Sequence, residues 1–129
     1  MKAGKYKKEY YSELHSWWNT RDDWVALPED VLPETGFVVI DDGILLAAGF
    51  VYRDATSILG MMEWIVSNPK NTARTTMKSL LLLVKHIAKY ADENNIKLYT
   101  SLKNTGLERI YKQNGFIKTD QNMISMVRR

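Results

Sequence analysis

Between residues 80 and 91 the apolar side chains fall at Leu80, Leu81, Leu83, Val84, Ile87, Ala88 and Ala91, while Lys78, Lys85 and Lys89 take the opposite side. That spacing predicts one amphipathic helix of about five turns, entered through Asn68-Pro69-Lys70-Asn71-Thr72 and stopped at Asn94-Asn95. A β-favouring run precedes it at residues 57–66 and another follows at 96–102. Strand, long helix, strand is the unit that lays two strands parallel by a crossover, and no other segment constrains the fold as strongly.

The remaining elements arrange themselves around that unit. Tyr10, Leu14, Trp17 and Trp18 share one helical face over residues 8–18. Residues 19–35 read as a loop-rich connector in which Pro28 and Pro33 bracket a short turn of helix at Glu29-Asp30-Val31-Leu32. Phe37-Val38-Val39-Ile40 and residues 44–52 flank Asp41-Asp42-Gly43, where Gly43 supplies a positive φ, and Arg53-Asp54-Ala55-Thr56 turns into the run at 57–66. Three antiparallel strands in succession follow from this. Thr105-Gly106-Leu107-Glu108 reads as a capping box opening a short helix with Leu107, Ile110 and Tyr111 on its apolar face, ended by Asn114-Gly115. Residues 116–118 and 123–127, joined by Asp120-Gln121-Asn122, predict a closing hairpin. Residues 1–129 thus form a single α+β domain, a mixed antiparallel and parallel twisted sheet flanked by helices. Residues 1–8 are expected to be a disordered basic arm.

Composition narrows the functional classes. At 45% apolar and 26% charged, 129 residues suffice for one core. The absence of cysteine excludes disulfides, thiolate metal sites and a cysteine nucleophile, and agrees with a cytoplasmic setting. No apolar signal core follows the basic start, and the longest apolar run, residues 80–84, is far too short to span a bilayer. The net charge of +3 arises from 18 basic and 15 acidic residues with no long like-charge block, and no aromatic-basic motif points to nucleic acid. His15 and His86 have no partners at metal-ligand spacing, so no metal is expected.

The element order resembles that of the GNAT N-acetyltransferases, and particular residues strengthen the resemblance. Met62-Glu63-Trp64-Ile65-Val66-Ser67-Asn68-Pro69 is similar to the family's fourth strand and the turn into its cofactor helix. Asn104 with Tyr111-Lys112-Gln113-Asn114-Gly115-Phe116 resembles its Asn…Tyr-x-x-x-Gly-Phe segment. More narrowly, Leu32-Pro33-Glu34-Thr35-Gly36-Phe37-Val38-Val39 and Met126-Val127-Arg128-Arg129 look like the small GNAT-like proteins of phages and prophages, which implies a viral gene.

The resemblance implies an acetyl-CoA-dependent N-acetyltransferase acting on an unidentified primary amine by direct attack. Glu63 stands where the family keeps its base and Tyr111 where it keeps its acid; alternation along the strand puts Glu63 on one face with Met61 and Ile65. Backbone groups of Ile65 and Val66 would pair with the pantetheine arm, and Asn104 matches a cofactor contact. The family's Gln/Arg-x-x-Gly-x-Gly/Ala loop falls on residues 72–77. There Thr72, Thr75 and Met77 replace the first Gln/Arg and the two small residues. Lys70, Thr72, Arg74, Thr75 and Thr76 are then left to hold the pyrophosphate at a helix N-terminus. Trp17, Trp18 and Trp24 fall in the region that borders the acceptor site and are candidate substrate contacts. The missing glycines motivate an alternative of another class: an inactive protein of the same fold that binds a protein partner, one of the host if the gene is viral. A homodimer is compatible with either reading.

Overall fold

The computed structural model describes residues 1–21, 25–102, 106–124, 126 and 128. Five strands form one sheet in sequence order: β1 (Lys2–Lys5), β2 (Gly36–Asp41), β3 (Ile44–Arg53), β4 (Leu59–Ser67) and β5 (Lys97–Tyr99). The first four are antiparallel neighbours, and β5 runs parallel to β4 after α2 (Ala73–Glu93) crosses between them. The mixed sheet expected from the strand–helix–strand unit is therefore present. The basic arm departs from expectation: Lys2–Lys5 pairs with Phe37–Ile40 as an edge strand instead of being disordered.

Two cores lie on the two faces of the sheet. On one, Leu83, Val84 and Ile87 of α2 meet Val39, Val51 and Met62, with Ile110 and Tyr111 of α3 (Glu108–Gln113) closing the end. On the other, Leu14, Trp17 and Trp18 of α1 (Tyr11–Asn19) meet Val38, Ala48, Phe50 and Val66. Of the 80–91 apolar stripe, Leu80, Leu83, Val84, Ile87 and Ala91 are buried, while Leu81 is left exposed. The hairpin turn between β2 and β3 uses Gly43 at φ +76, as its sequence predicts, with Asp42 also in the left-handed region at φ +50.

Two local expectations fail, and a third, the capping box, falls partly outside the described residues. The helix opened by the capping box starts at Glu108 with Leu107 as N-cap and no side-chain cap. Thr105 lies outside the described residues, and Glu108 instead pairs with Lys118 (3.1 Å) and Lys112 (3.8 Å). The predicted strand at 96–102 pairs only over Lys97–Tyr99. The closing hairpin does not form among the described residues: after Gly115, at φ +89, Ile117, Met123, Ile124 and Met126 are left largely exposed. A β-pattern of side chains did not suffice for pairing where no partner strand packs a face behind it. No helix among the described residues is long and apolar enough to cross a membrane.

Candidate active site

The site grows out of an irregularity in β4. In register with β3, Glu63 opposes Phe50 and Val66 opposes Ala48, so three steps on β4 match two on β3. The extra residue is a bulge centred on Trp64, whose φ is +58. A bulge resets alternation. Met62 and Ile65 consequently both face α2, while Glu63 and Val66 both face the α1 side with their partners Phe50 and Ala48. The expectation that Glu63 shares a face with Ile65 is corrected by this one inserted residue. Gly49, opposite the bulge, leaves the space that Ile65 fills: a Cβ there would lie 2.4 Å from Ile65 Cδ1.

The same irregularity opens the sheet. β5 pairs with β4 only as far as Met61↔Tyr99, and the last tie is the Thr100 hydroxyl donating to the Met62 carbonyl at 2.7 Å. Beyond it, the outer backbone edge of residues 63–67 has no strand partner among the described residues.

Glu63 and Tyr111 lie on the two faces of the sheet near that gap, close enough for the Glu63 charge to act on the phenol. Glu63 is half-buried, makes no hydrogen bond or ion pair among the described residues, and burial raises its carboxyl above the usual carboxylate range. Tyr111, 4% exposed at the end of the α2-side core, has its hydroxyl pushed up to about 12, chiefly by burial, with the Thr100 side chain opposing the rise and the Glu63 charge adding to it. A carboxylate and a neutral phenol thus approach the opening from opposite faces of the sheet.

At the end of β4 the chain turns into α2 through a loop held by asparagines. Asn68 Nδ2 donates to the Leu45 carbonyl (2.9 Å) while its Oδ1 accepts from the Lys70 amide (2.9 Å), and Asn71 Nδ2 donates to the Leu46 carbonyl (3.0 Å). Thr72 is the N-cap: its hydroxyl accepts from the Thr75 amide (3.2 Å) and donates to Thr75 Oγ1 (3.0 Å), and its carbonyl accepts from the Thr76 amide (2.9 Å). Thr75 keeps its own hydroxyl proton to give. The Ala73 and Arg74 amides remain without an acceptor within the described chain, as the first amides of a helix do. Lys70 and Arg74 flank them, both exposed. Asn68 is only 8% exposed, so Asn68→Ala is expected to lower stability by about 1–3 kcal/mol through the orphaned Leu45 carbonyl, measurable by urea denaturation.

The predicted site residues therefore divide. Glu63, Ile65, Val66 and Tyr111 lie at the opening, and Lys70, Thr72, Arg74, Thr75 and Thr76 at the helix start beside it. Trp17 and Trp18 do not line a pocket: at 3% and 1% exposure they are the floor of α1 on the sheet, a correction to their expected substrate role. Trp24 and Asn104 lie outside the described residues. Sequence reasoning missed Thr100, which carries no motif. It also missed the roles of Asn68 and Asn71, although asparagine beside proline and ahead of a helix is a turn signal. Among the described residues no group of acidic or histidine side chains clusters to hold a metal.

No protein-family model and no curated protein matches the sequence. Solved structures do match in shape. The chain is similar to the ribosomal-protein-S18-alanine N-acetyltransferase of Escherichia coli (11% identity, 92% of this chain and 79% of that one, TM-score 0.72). It is also similar to a Novosphingobium aromaticivorans protein described as a GNAT-family acetyltransferase (14% identity, 88% of this chain, TM-score 0.68), of which it spans only 50%. The N-acetylglutamate synthase of Neisseria gonorrhoeae, solved with coenzyme A and N-acetyl-glutamate, matches 96% of this chain over 30% of its own length (13% identity, TM-score 0.68). The strand order, the parting of β4 from β5 and these likenesses together give the chain the fold of the GNAT acetyltransferases.

Proposed function

We propose that the protein transfers an acetyl group from acetyl-CoA to a primary amine. The observation that carries this reading is the opening between β4 and β5, with Glu63 and Tyr111 reaching it from opposite faces and the start of α2 at its end. An acyl-thioester arm bearing amides can pair with the outer edge of residues 63–66 as an added strand, the Ser67 carbonyl being taken by the Arg21 guanidinium at 3.2 Å. Its pyrophosphate then meets the Ala73 and Arg74 amides, the Thr75 hydroxyl and the Lys70 and Arg74 charges. Threonine in place of glycine is tolerated because its hydroxyl is drawn into the cap by Thr72. Between α2 and α3 lies a groove of about 180 Å³ lined by Lys78, Arg109 and Gln113 with Met77, Leu81 and Ile110, whose two cations suit the charge of a nucleotide end.

The chemistry is an amine nitrogen attacking the thioester carbonyl, so that a C–N bond forms and the C–S bond breaks. The ammonium proton passes to Glu63, directly or through water, and the departing thiolate is met by Tyr111. Burial pushes the Tyr111 hydroxyl up to about 12, so it meets the thiolate as a neutral phenol. Tyr111 acts as a hydrogen-bond donor to the developing negative charge.

Calorimetric titration with acetyl-CoA, followed by thiol release against a panel of amines, tests the reading. Saturable binding is expected, weakened about tenfold by Arg74→Ala through loss of a charge-assisted phosphate contact. No binding heat and no thiol release would sink it.

A further inference from the structure

A bulky aromatic residue in the left-handed region is costly and persists only where its surroundings hold it. Trp64, at φ +58, is half in solvent, and core packing alone does not fix it. What holds it is a relay of hydrogen bonds. Trp64 Nε1 donates to Tyr52 Oη at 2.8 Å, and Tyr52 Oη donates its own proton to the Val31 carbonyl at 2.7 Å. Val31 belongs to the connector between α1 and β2, where Glu29–Val31 forms a single 3₁₀ turn. The Tyr11 hydroxyl fastens the same connector by donating to the Leu27 carbonyl.

We propose that Tyr52 and Trp64 are positioning residues: a clasp that locks the β4 bulge open and ties it to the connector, so that Glu63 and Ile65 are held on opposite faces of the sheet. The register supports this. Tyr52 pairs with Met61, the last residue of β4 that also pairs with β5, and the clasp spans from there over Glu63 to the inserted residue. The one proton of the Tyr52 hydroxyl goes to the Val31 carbonyl, so it offers none to the neighbouring Glu63 carboxylate. This inference rests on the acyl-transfer reading for its functional consequence, but its structural content does not depend on that reading.

The test uses the full chain, with hydrogen exchange followed by mass spectrometry in the absence of substrate. Tyr52→Phe removes one oxygen and keeps the ring. It is expected to speed amide exchange across residues 62–67 about tenfold while leaving α2 unchanged. The double variant Tyr52→Phe/Trp64→Gly is expected to return exchange to within about twofold of the parent, because glycine takes positive φ without help. Unchanged exchange in Tyr52→Phe, or no rescue by glycine, overturns the clasp. In turnover assays the same pair should lose about tenfold and then regain kcat/KM for acetyl-CoA. A parent protein that turns over no acetyl-CoA sinks the acyl-transfer reading, and the exchange result still decides the clasp.

Discussion

Glu63→Gln is expected to cut amine acetylation by a factor of about 10² to 10⁴ while raising the thermal midpoint at pH 7. The two effects have one origin. Burial raises the Glu63 carboxyl, and no cation or hydrogen-bond donor among the described residues offsets the cost of its charge. A carboxyl whose folded pKa lies above its unfolded value contributes stability that is present below the unfolded pKa and lost as pH rises through the folded one. At neutral pH the parent therefore carries an ionised, half-buried carboxylate that glutamine removes. The melting advantage of the variant should be present at pH 7 and shrink on acidification to pH 4, where the parent is protonated. Turnover by the parent should rise with pH through the same ionisation, with an acid limb above the ordinary carboxylate range, because only the ionised form accepts the amine proton. Loss of activity without any gain in midpoint would mean that Glu63 is solvated and that its burial is not what tunes it.

Much of the architecture can be read from spacing. The stripe from Leu80 to Ala91 predicts α2, the β-favouring runs at its two ends predict the parallel pair, and Asp42-Gly43 predicts the hairpin turn. These are local signals, and the fold agrees with them. What spacing does not carry is anything decided by one residue's displacement or by a distant partner. The bulge at Trp64 has no signature in Met62-Glu63-Trp64-Ile65-Val66, since glycine is absent there and the hydroxyl that holds it comes from Tyr52 on another strand. Strict alternation therefore puts Ile65 on the wrong face. Thr100 is likewise invisible until β5 ends beside Met62. The resemblance selected Glu63 and Tyr111; that one lies on the α1 side of β4 and the other in the α2-side core is set by the tertiary structure.

Trp18 shows how the same residue type supports opposite readings, and its replacement should have the largest effect on stability. A tryptophan near an expected acceptor site reads equally as pocket wall or as core, and burial decides between them. With 1% exposure against Leu14, Phe50 and Val66, Trp18 has no surface to offer a ligand. Trp18→Ala removes the largest of the fully buried side chains and leaves a void between α1 and the sheet, at an expected cost of about 3–5 kcal/mol. Against a total of about 5–15 kcal/mol that is a large share, and the midpoint should fall by roughly 10–20 °C in calorimetry. Trp18→Phe keeps much of the volume and should lose less. A pocket wall behaves differently: its removal moves KM for the amine and leaves the midpoint near that of the parent. Because the α1-side core contains Phe50, the register partner of Glu63, loosening it should also lower kcat at temperatures well below the melt. A Trp18→Ala protein with an unchanged midpoint would overturn the assignment of α1 to the core and return Trp18 to the acceptor site.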